Sequence, residues 1–257
     1  MIDFQLIRTA RFAFRLQELT LADCRALLNI APNLSEKARS EFLRRAIAEF
    51  HWAKGYENLA LGDLTAQERL FIEACYLSQV SEMSDFELGN GRYTDFLQVE
   101  KQYAKSRVEL GAIDGDEDNW ALIPLTGLML EAMEERLANL DKCERIDWIL
   151  FAMAATLTRD KDKLPDINAD FIAYGDALEA RANAFAQLPS SAFVQLLTLF
   201  FQGMAQLTHF FTLNFDSDGV YLLPIEGKTV KGEEALVLPA RFRANAVIDV
   251  ITQNLLR

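Results

Sequence analysis

The feature that most constrains the fold of this chain is a long run, residues 182–215, that contains no charged side chain. Polar side chains lie along it, among them Gln195, Gln202 and His209, and a Leu-Pro-Ser-Ser sequence interrupts it at Pro189. A buried amide or imidazole needs a hydrogen-bond partner, and proline ends a helix. The run therefore predicts two core helices rather than one membrane span. The alternative is a helix that inserts into a membrane or docks on a partner.

Hydrophobic periodicity predicts helix over most of the remaining chain. Apolar residues at three- and four-residue spacing follow Thr20, Ser35, Thr65 and Thr126, which are residue types that cap helix N-termini. The helix after Ser35 is expected to reach Phe50, because Phe50 continues its apolar face. Further helices are predicted at 146–157, 168–188 and 191–211, with a last amphipathic helix over 242–255.

Short β elements complete the predicted fold. The segment Phe12–Leu16 alternates large apolar residues with smaller or charged ones, as a half-buried strand does. A strand at 86–88 precedes a glycine-rich turn, and the segments 108–113 and 120–125 indicate a β-hairpin, with Pro124 favouring an edge position. We therefore expect a mainly α (α+β) fold, a helical bundle with a short N-terminal strand and one or two β-hairpins.

The length of the chain, residues 1–257, suits one large domain, and we expect a single helical domain. The charged stretch 159–163 before Pro165 is the best candidate for a subdivision, near residues 159–166. A loop within one domain explains this stretch equally well.

The net charge of −12 bears on the class of partner. An excess of acidic side chains repels phosphate backbones and anionic lipid surfaces within a Debye length. We therefore expect no nucleic-acid partner and no membrane partner. The first fifty residues are slightly basic, and the excess of acidic residues lies in the rest of the chain. Such a charge asymmetry can guide head-to-tail assembly, or it can belong to an ordinary solvated surface.

The cysteines and the N-terminus indicate a compartment. Cys24, Cys75 and Cys143 are odd in number, far apart and set among apolar residues, so we expect buried free thiols. The N-terminal sequence has no apolar core of signal-peptide length. The cytoplasm is therefore the expected location.

The acidic segment 114–119 begins like a calcium loop, with oxygen-bearing side chains at alternate positions. Asn119 stands where such a loop needs glycine, and Leu125 stands where a bidentate glutamate should close the shell. We expect a solvated hairpin tip, with adventitious cation binding as the alternative.

No other motif predicts a catalytic, cofactor or metal site. Gly227-Lys228-Thr229 is similar to the end of a phosphate-binding loop, but Leu222 replaces the glycine that the loop requires. Neither His51 nor His209 has a second ligand at helical spacing. We therefore expect no catalytic residues, no cofactor and no bound metal, although carboxylate pairs from distant segments cannot be seen in sequence.

Aromatic residues in the uncharged run indicate a surface for protein partners. Two pairs of adjacent phenylalanines, Phe200 with Phe201 and Phe210 with Phe211, cannot all point to one side of a helix. Part of this surface is expected to meet another element or another chain. Phe200, Phe201, Phe210 and Phe211 are therefore the partner-interface candidates.

Three consecutive features at the N-terminus carry a family resemblance: the strand Phe12–Leu16, the sequence Glu18-Leu19-Thr20 and a helix that begins Leu21-Ala22-Asp23. This succession resembles the opening of tail assembly chaperones and of minor tail or baseplate proteins of tailed bacteriophages. It covers about the first fifty residues.

The resemblance implies a non-enzymatic role in virion assembly. Such a protein binds other tail or baseplate subunits in the host cytoplasm, or it remains in the virion as a structural subunit. The alternatives are an unrecognised cytoplasmic enzyme and an adaptor protein outside tail morphogenesis.

Overall fold

The structure, a computed structural model, describes residues 3–81, 83–102, 105–114, 118–159, 162–232 and 234–242. In this part of the chain 42% is helical and 19% is strand, arranged as seven α-helices and ten strands in four small sheets. The fold is α+β, and the prediction of a helical bundle is wrong. The helix predicted over 242–255 lies almost entirely outside the described residues, of which Phe242 is the last.

The chain divides into two compact units, each discontinuous in sequence. The first unit comprises Met1–Tyr103, His209–Asn214 and Val220–Arg257. The second comprises Ala104–Thr208 and Phe215–Gly219. The segment 159–166, marked by the sequence as a candidate subdivision, falls inside the span of the second unit.

The first unit contains strands β1 (Ile7–Arg8), β2 (Phe12–Leu16), β3 (Ile47–Trp52), β4 (Glu87–Leu88) and β5 (Gly91–Arg92) and helices α1 (Leu21–Leu28), α2 (Ser35–Ala46) and α3 (Ala66–Val80). Strands β1, β2 and β3 form an antiparallel sheet in that order, and β4 pairs with β5 across the predicted turn. Phe12, Phe14 and Leu16 of β2 are all buried, which confirms the predicted alternation.

Strand β3 is one of the strands that the sequence did not predict. The helix that was expected to reach Phe50 ends at Ala46, and the chain continues as β3. Phe12 lies opposite Trp52 in the antiparallel register, and the rings of Phe12 and Phe50 stack with centroids 5.4 Å apart. Pairing with β2 supplies ladder hydrogen bonds and aromatic contacts that a longer helix would lack, so tertiary pairing overrides helical periodicity.

The second unit contains strands β6 (Val108–Gly111), β7 (Trp120–Leu122) and β8 (Leu157–Thr158) and helices α4 (Gly127–Leu137), α5 (Arg145–Thr156), α6 (Phe171–Ala186) and α7 (Ser190–Leu207). The predicted hairpin is present as β6 and β7, but β8 pairs with the other side of β7. The edge position predicted from Pro124 is therefore wrong. Pro124 lies two residues beyond Leu122, the last residue of β7, so its missing N–H removes no ladder bond.

Helix starts follow the sequence signals at most positions. Side-chain caps are present at the predicted residues Thr20, Thr65 and Thr126. Ser35, by contrast, is the first residue of α2, and Leu34 occupies the cap position without a side-chain bond. Helix α5 begins at Arg145, close to the predicted start at residue 146, and the backbone N–H of Glu144 at its cap position donates to Oδ2 of Asp147 over 2.7 Å.

The helix predicted over 191–211 also ends early. Helix α7 stops at Leu207, and the chain passes through Phe210, whose φ is 54°, into β9 (Thr212–Asp216) and β10 (Gly219–Leu223). The N–H of Phe211 donates to the carbonyl of His209, which closes a tight three-residue turn around Phe210. Strands β9 and β10 pair as a hairpin that supplies residues to both units.

Candidate functional site

One face of helix α7 is fixed against the β6–β7 hairpin of the second unit. Its buried residues, Leu196, Phe200, Gly203 and Leu207, recur at the spacing of one helical stripe. Gly203 permits close contact, because a Cβ there would lie 2.8 Å from Cδ2 of Leu122. This packing sets the rotation of α7 and so decides which side chains face outward.

The opposite stripe of α7 is exposed and uncharged. We define the outer α7 face as Val194, Thr198, Phe201 and Ala205, all of which are exposed. Val194 is 58% exposed and Phe201 is 38% exposed, which are high values for large apolar side chains. No charged residue occurs anywhere in the helix. An aromatic side chain in a charge-depleted patch is typical of the core of a protein–protein interface.

The structure separates the four phenylalanines that the sequence nominated as interface candidates. Phe201 lies on the outer α7 face, while Phe200 is buried beneath it with its ring centroid 5.2 Å from that of Phe201. Phe210 and Phe211 belong to the first unit and are buried there. Phe210 stacks on Phe71 with ring centroids 4.3 Å apart. Phe201 is thus the accessible member, and the other three are core residues.

A reciprocal pair of hydrogen bonds joins α7 to the acidic hairpin tip. The backbone N–H of Asp114 donates to Oε1 of Gln195 over 2.9 Å, and Nε2 of Gln195 donates to Oδ2 of Asp114 over 3.0 Å. Residues 115–117 of this tip lie outside the described residues. The Asp114 carboxylate is therefore already engaged by a protein donor, which orders the start of the tip on the helix.

The described residues include no helix long and apolar enough to cross a membrane.

The two histidines lie in different environments. His51 is an exposed residue of β3, whereas His209 is buried and its Nε2 shares a hydrogen bond of 2.8 Å with Oγ1 of Thr65. The Thr65 hydroxyl also accepts a bond from the N–H of Glu68 at the start of α3. Within the residues that the structure describes, no group of three or more His, Cys, Asp or Glu is placed to hold a metal ion.

The Gly227-Lys228-Thr229 segment forms a turn in the first unit. Gly227 has a φ of 80°, and Nζ of Lys228 lies 3.7 Å from Oδ1 of Asp95. The three cysteines are free thiols; Cys24 is buried as predicted, but Cys75 and Cys143 are only half-buried. Burial nevertheless raises the pKa of the Cys75 thiol to about 12.

A buried ion pair that the sequence did not predict lies at the start of α3. Nη1 of Arg11 donates to both carboxylate oxygens of Glu68, over 3.0 and 2.9 Å. The Glu68 side chain is 1% exposed and also accepts from the backbone N–H of Thr65. Trp52 and Tyr56 hold their rings within 5.4 and 5.0 Å of the Arg11 guanidinium carbon.

A second ionic cluster joins α2 to α3. Nε of Arg39 donates to Oε2 of Glu73 over 2.7 Å, and its Nη1 donates to Oε1 of Glu36. Nη2 of Arg69 donates to the backbone carbonyl of Glu36 and to the hydroxyl of Ser40, over 2.7 Å each. These bonds connect α2 to α3 in the interior of the first unit.

The electrostatics of these clusters match a structural role. Burial raises the pKa of the Glu68 and Glu73 carboxyls, and Arg11 and Arg39 respectively oppose that rise. Burial also raises the pKa of the Glu36 carboxyl, but the positive charges of Arg39 and Arg69 lower it by more. The pKa of Glu36 therefore lies below its ordinary value. Every carboxylate here is 3% exposed or less, and each is bonded to a protein cation rather than presented to solvent.

One sequence signal could have revealed this cluster. Helix α3 carries three charged residues, Glu68, Arg69 and Glu73, among apolar residues. Neighbours such as Leu70 and Ile72 indicate that this helix is buried on several sides. Charged residues in an otherwise buried helix must be paired. Their partners, however, lie in segments too distant for sequence spacing to identify.

Comparison of the chain with protein-family models, with curated proteins and with solved structures finds no significant match.

Proposed function

We propose that this chain is a non-enzymatic structural or assembly protein of bacteriophage tails that acts through protein–protein contacts. The single observation that carries the contact role is the outer α7 face, with Phe201 exposed on an uncharged helix. A few anchors near the centre of an interface supply most of its energy, and aromatic residues are prominent among them. Phe201 is the proposed anchor.

The proposed partner is another tail or baseplate subunit. The setting is supported by the N-terminal resemblance, which rests on β2, the Thr20 cap and the start of α1. In this proposal the chain meets its partner in the host cytoplasm and acts there as an assembly chaperone, or stays in the virion as a minor tail protein. The outer α7 face carries no charge, so apolar contact would hold the partner. The Thr198 hydroxyl donates to the Val194 carbonyl over 2.8 Å, so it would only accept a bond from the partner.

Two adjacent phenylalanines provide the experiment. Phe201→Ala should preserve the folded state and reduce recovery of the native complex from infected or co-expressing cells. Phe200→Ala is the matched control, because the same change beneath the surface should destabilise the second unit by about 3–5 kcal/mol. Thermal unfolding and affinity recovery of the complex would be measured for both variants.

The proposal fails if Phe201→Ala loses stability as Phe200→Ala does, or if the folded variant assembles as the wild type does. The position of the gene separates the tail setting from an enzyme. A neighbouring tape-measure or tail-tube gene supports the tail role, and a metabolic operon contradicts it.

A further inference from the structure

The second unit contains buried polar atoms that its own hydrogen bonds leave unsatisfied. Arg181 and Tyr174 lie seven residues apart on α6, so both fall on one side of the helix, and both are buried. Across the described residues, Nε and Nη2 of Arg181 and the hydroxyl of Tyr174 have no protein hydrogen-bond partner. Buried polar atoms are nearly always bonded to protein, water or an ion, so these three need an explanation.

The unsatisfied atoms of Arg181 form one edge of its guanidinium group. Nη1 is used, since it donates to the backbone carbonyl of Ala154 at the end of α5 over 3.1 Å. The remaining edge, Nε with Nη2, is a planar pair of donors that matches two oxygens of a carboxylate or phosphate. Packing of the guanidinium carbon 5.6 Å from the ring of Phe185 helps to hold this edge in place.

Asp162 is the counterion of both Arg181 and Arg159. Oδ2 of Asp162 lies 3.0 Å from Nη2 of Arg181 and 3.7 Å from Nη2 of Arg159. The contact with Arg181 is an ion pair without hydrogen-bond alignment, because Nη2 remains unsatisfied. Asp162 is 39% exposed, so this carboxylate stands where the cluster meets solvent. An external anion would reach the Arg181 edge only by displacing this carboxylate.

We propose that Arg181 and Tyr174 form a binding site for a small oxyanion, a carboxylate or a phosphate, at the position where Asp162 reaches the surface of the second unit. Two oxygens of the anion would accept from Nε and Nη2 of Arg181, and the Tyr174 hydroxyl would donate to the same anion. Burial raises the pKa of Tyr174, with Arg181 acting in the opposite direction, so the hydroxyl stays a donor at neutral pH. Displaced Asp162 keeps its contact with Arg159.

The test is thermal unfolding of the full chain in sodium phosphate and in sodium acetate, each compared with sodium chloride at equal ionic strength. The proposal predicts a saturable rise in Tm with at least one of the two oxyanions. The anion that gives the lower apparent Kd identifies the tetrahedral or the planar class.

Two variants assign any binding to this site. Tyr174→Phe keeps the ring and removes a hydroxyl that bonds no protein atom, so it should fold and weaken anion binding by about tenfold or more. Arg181→Lys keeps the charge, loses the planar edge and should weaken binding by at least as much. Arg136→Lys is the control, because Arg136 lies on α4, pairs with Asp176 of α6 over 2.7 Å and should leave the Kd unchanged when replaced.

If Arg181→Lys does not fold, the Kd of Tyr174→Phe for the oxyanion tests the proposal alone. Ordered water alone at these atoms predicts no oxyanion effect beyond that of chloride, and that result overturns the proposal. An equal Kd for wild type and Tyr174→Phe also overturns it, since the anion would then bind elsewhere.

Discussion

Replacing Arg39 by methionine tests whether buried ion pairs hold the helices of the first unit together. The Arg39 side chain is 5% exposed, and methionine fills part of its volume without carrying charge. The change removes charge-assisted bonds to Glu36 and Glu73, whose side chains are 3% and 2% exposed, and a 3.2 Å bond to the Phe242 carbonyl. The carboxylates of Glu36 and Glu73 would stay buried, but the positive charge of Arg39 would no longer offset the cost of burying them.

The magnitude follows from the number of bonds. Hydrogen bonds to charged groups contribute about 1.5–3 kcal/mol each, so two of them give about 3–6 kcal/mol. Removing one partner of a buried ion pair costs about 3–5 kcal/mol, which agrees. Against a typical total stability of about 5–15 kcal/mol, Arg39→Met should remove about a fifth or more of the free energy of unfolding.

The variant should also respond to acid in a recognisable way. Burial already raises the pKa of Glu73 and Arg39 opposes that rise, so without Arg39 the pKa rises further. A carboxyl with a raised folded-state pKa binds more protons in the folded state, so stability falls as pH increases through that range. The stability deficit of Arg39→Met should therefore be smaller at pH 5 than at pH 7.5.

Urea unfolding at both pH values measures these effects. Arg44→Met is the matched control, because Arg44 lies on the same helix, is 59% exposed and pairs with Glu41 at the surface. It should change stability by less than about 1 kcal/mol. If the two variants lose equal stability, or if the deficit of Arg39→Met grows in acid, the reasoning about the buried pairs is refuted.

Three further predictions concern the second unit and the cysteines. Gly203→Ala places a Cβ 2.8 Å from a methyl carbon of Leu122 and should cost about 1–3 kcal/mol in urea unfolding, whereas unchanged stability would contradict that packing. Cys75, with its pKa raised to about 12, should resist alkylation at pH 8 until the chain unfolds, as mass spectrometry would show. Calcium should leave Tm unchanged, because Gln195 engages the Asp114 carboxylate, and a saturable rise would contradict this.

Local signals in the sequence predicted much of the secondary structure. Thr20 and Thr65 cap their helices because each sits three residues before an acid that completes the capping box. The alternation in Phe12–Leu16 identified β2. These predictions succeed because the interactions that decide them span only a few residues.

Features that depend on distant contacts could not be predicted in this way. Phe50 continues the apolar face of α2, yet it lies in β3 because β2 offers it a pairing edge. Arg11 and Glu68 are separated by 57 positions, so their ion pair leaves no spacing signature. The sequence identified both Phe200 and Phe201 as interface candidates. The close packing of Gly203 against Leu122 of β7 sets the rotation of α7, and so determines that Phe201 faces outward.

The most direct test of the proposed contact role is site-specific photo-cross-linking from position 201 in infected cells. A photoreactive residue at 201 should capture a tail or baseplate protein, identified by mass spectrometry. The same residue at Ile172, a 71% exposed apolar position on α6, should not capture that protein. Absence of any specific product from position 201, or the same product from both positions, would contradict the account of the outer α7 face.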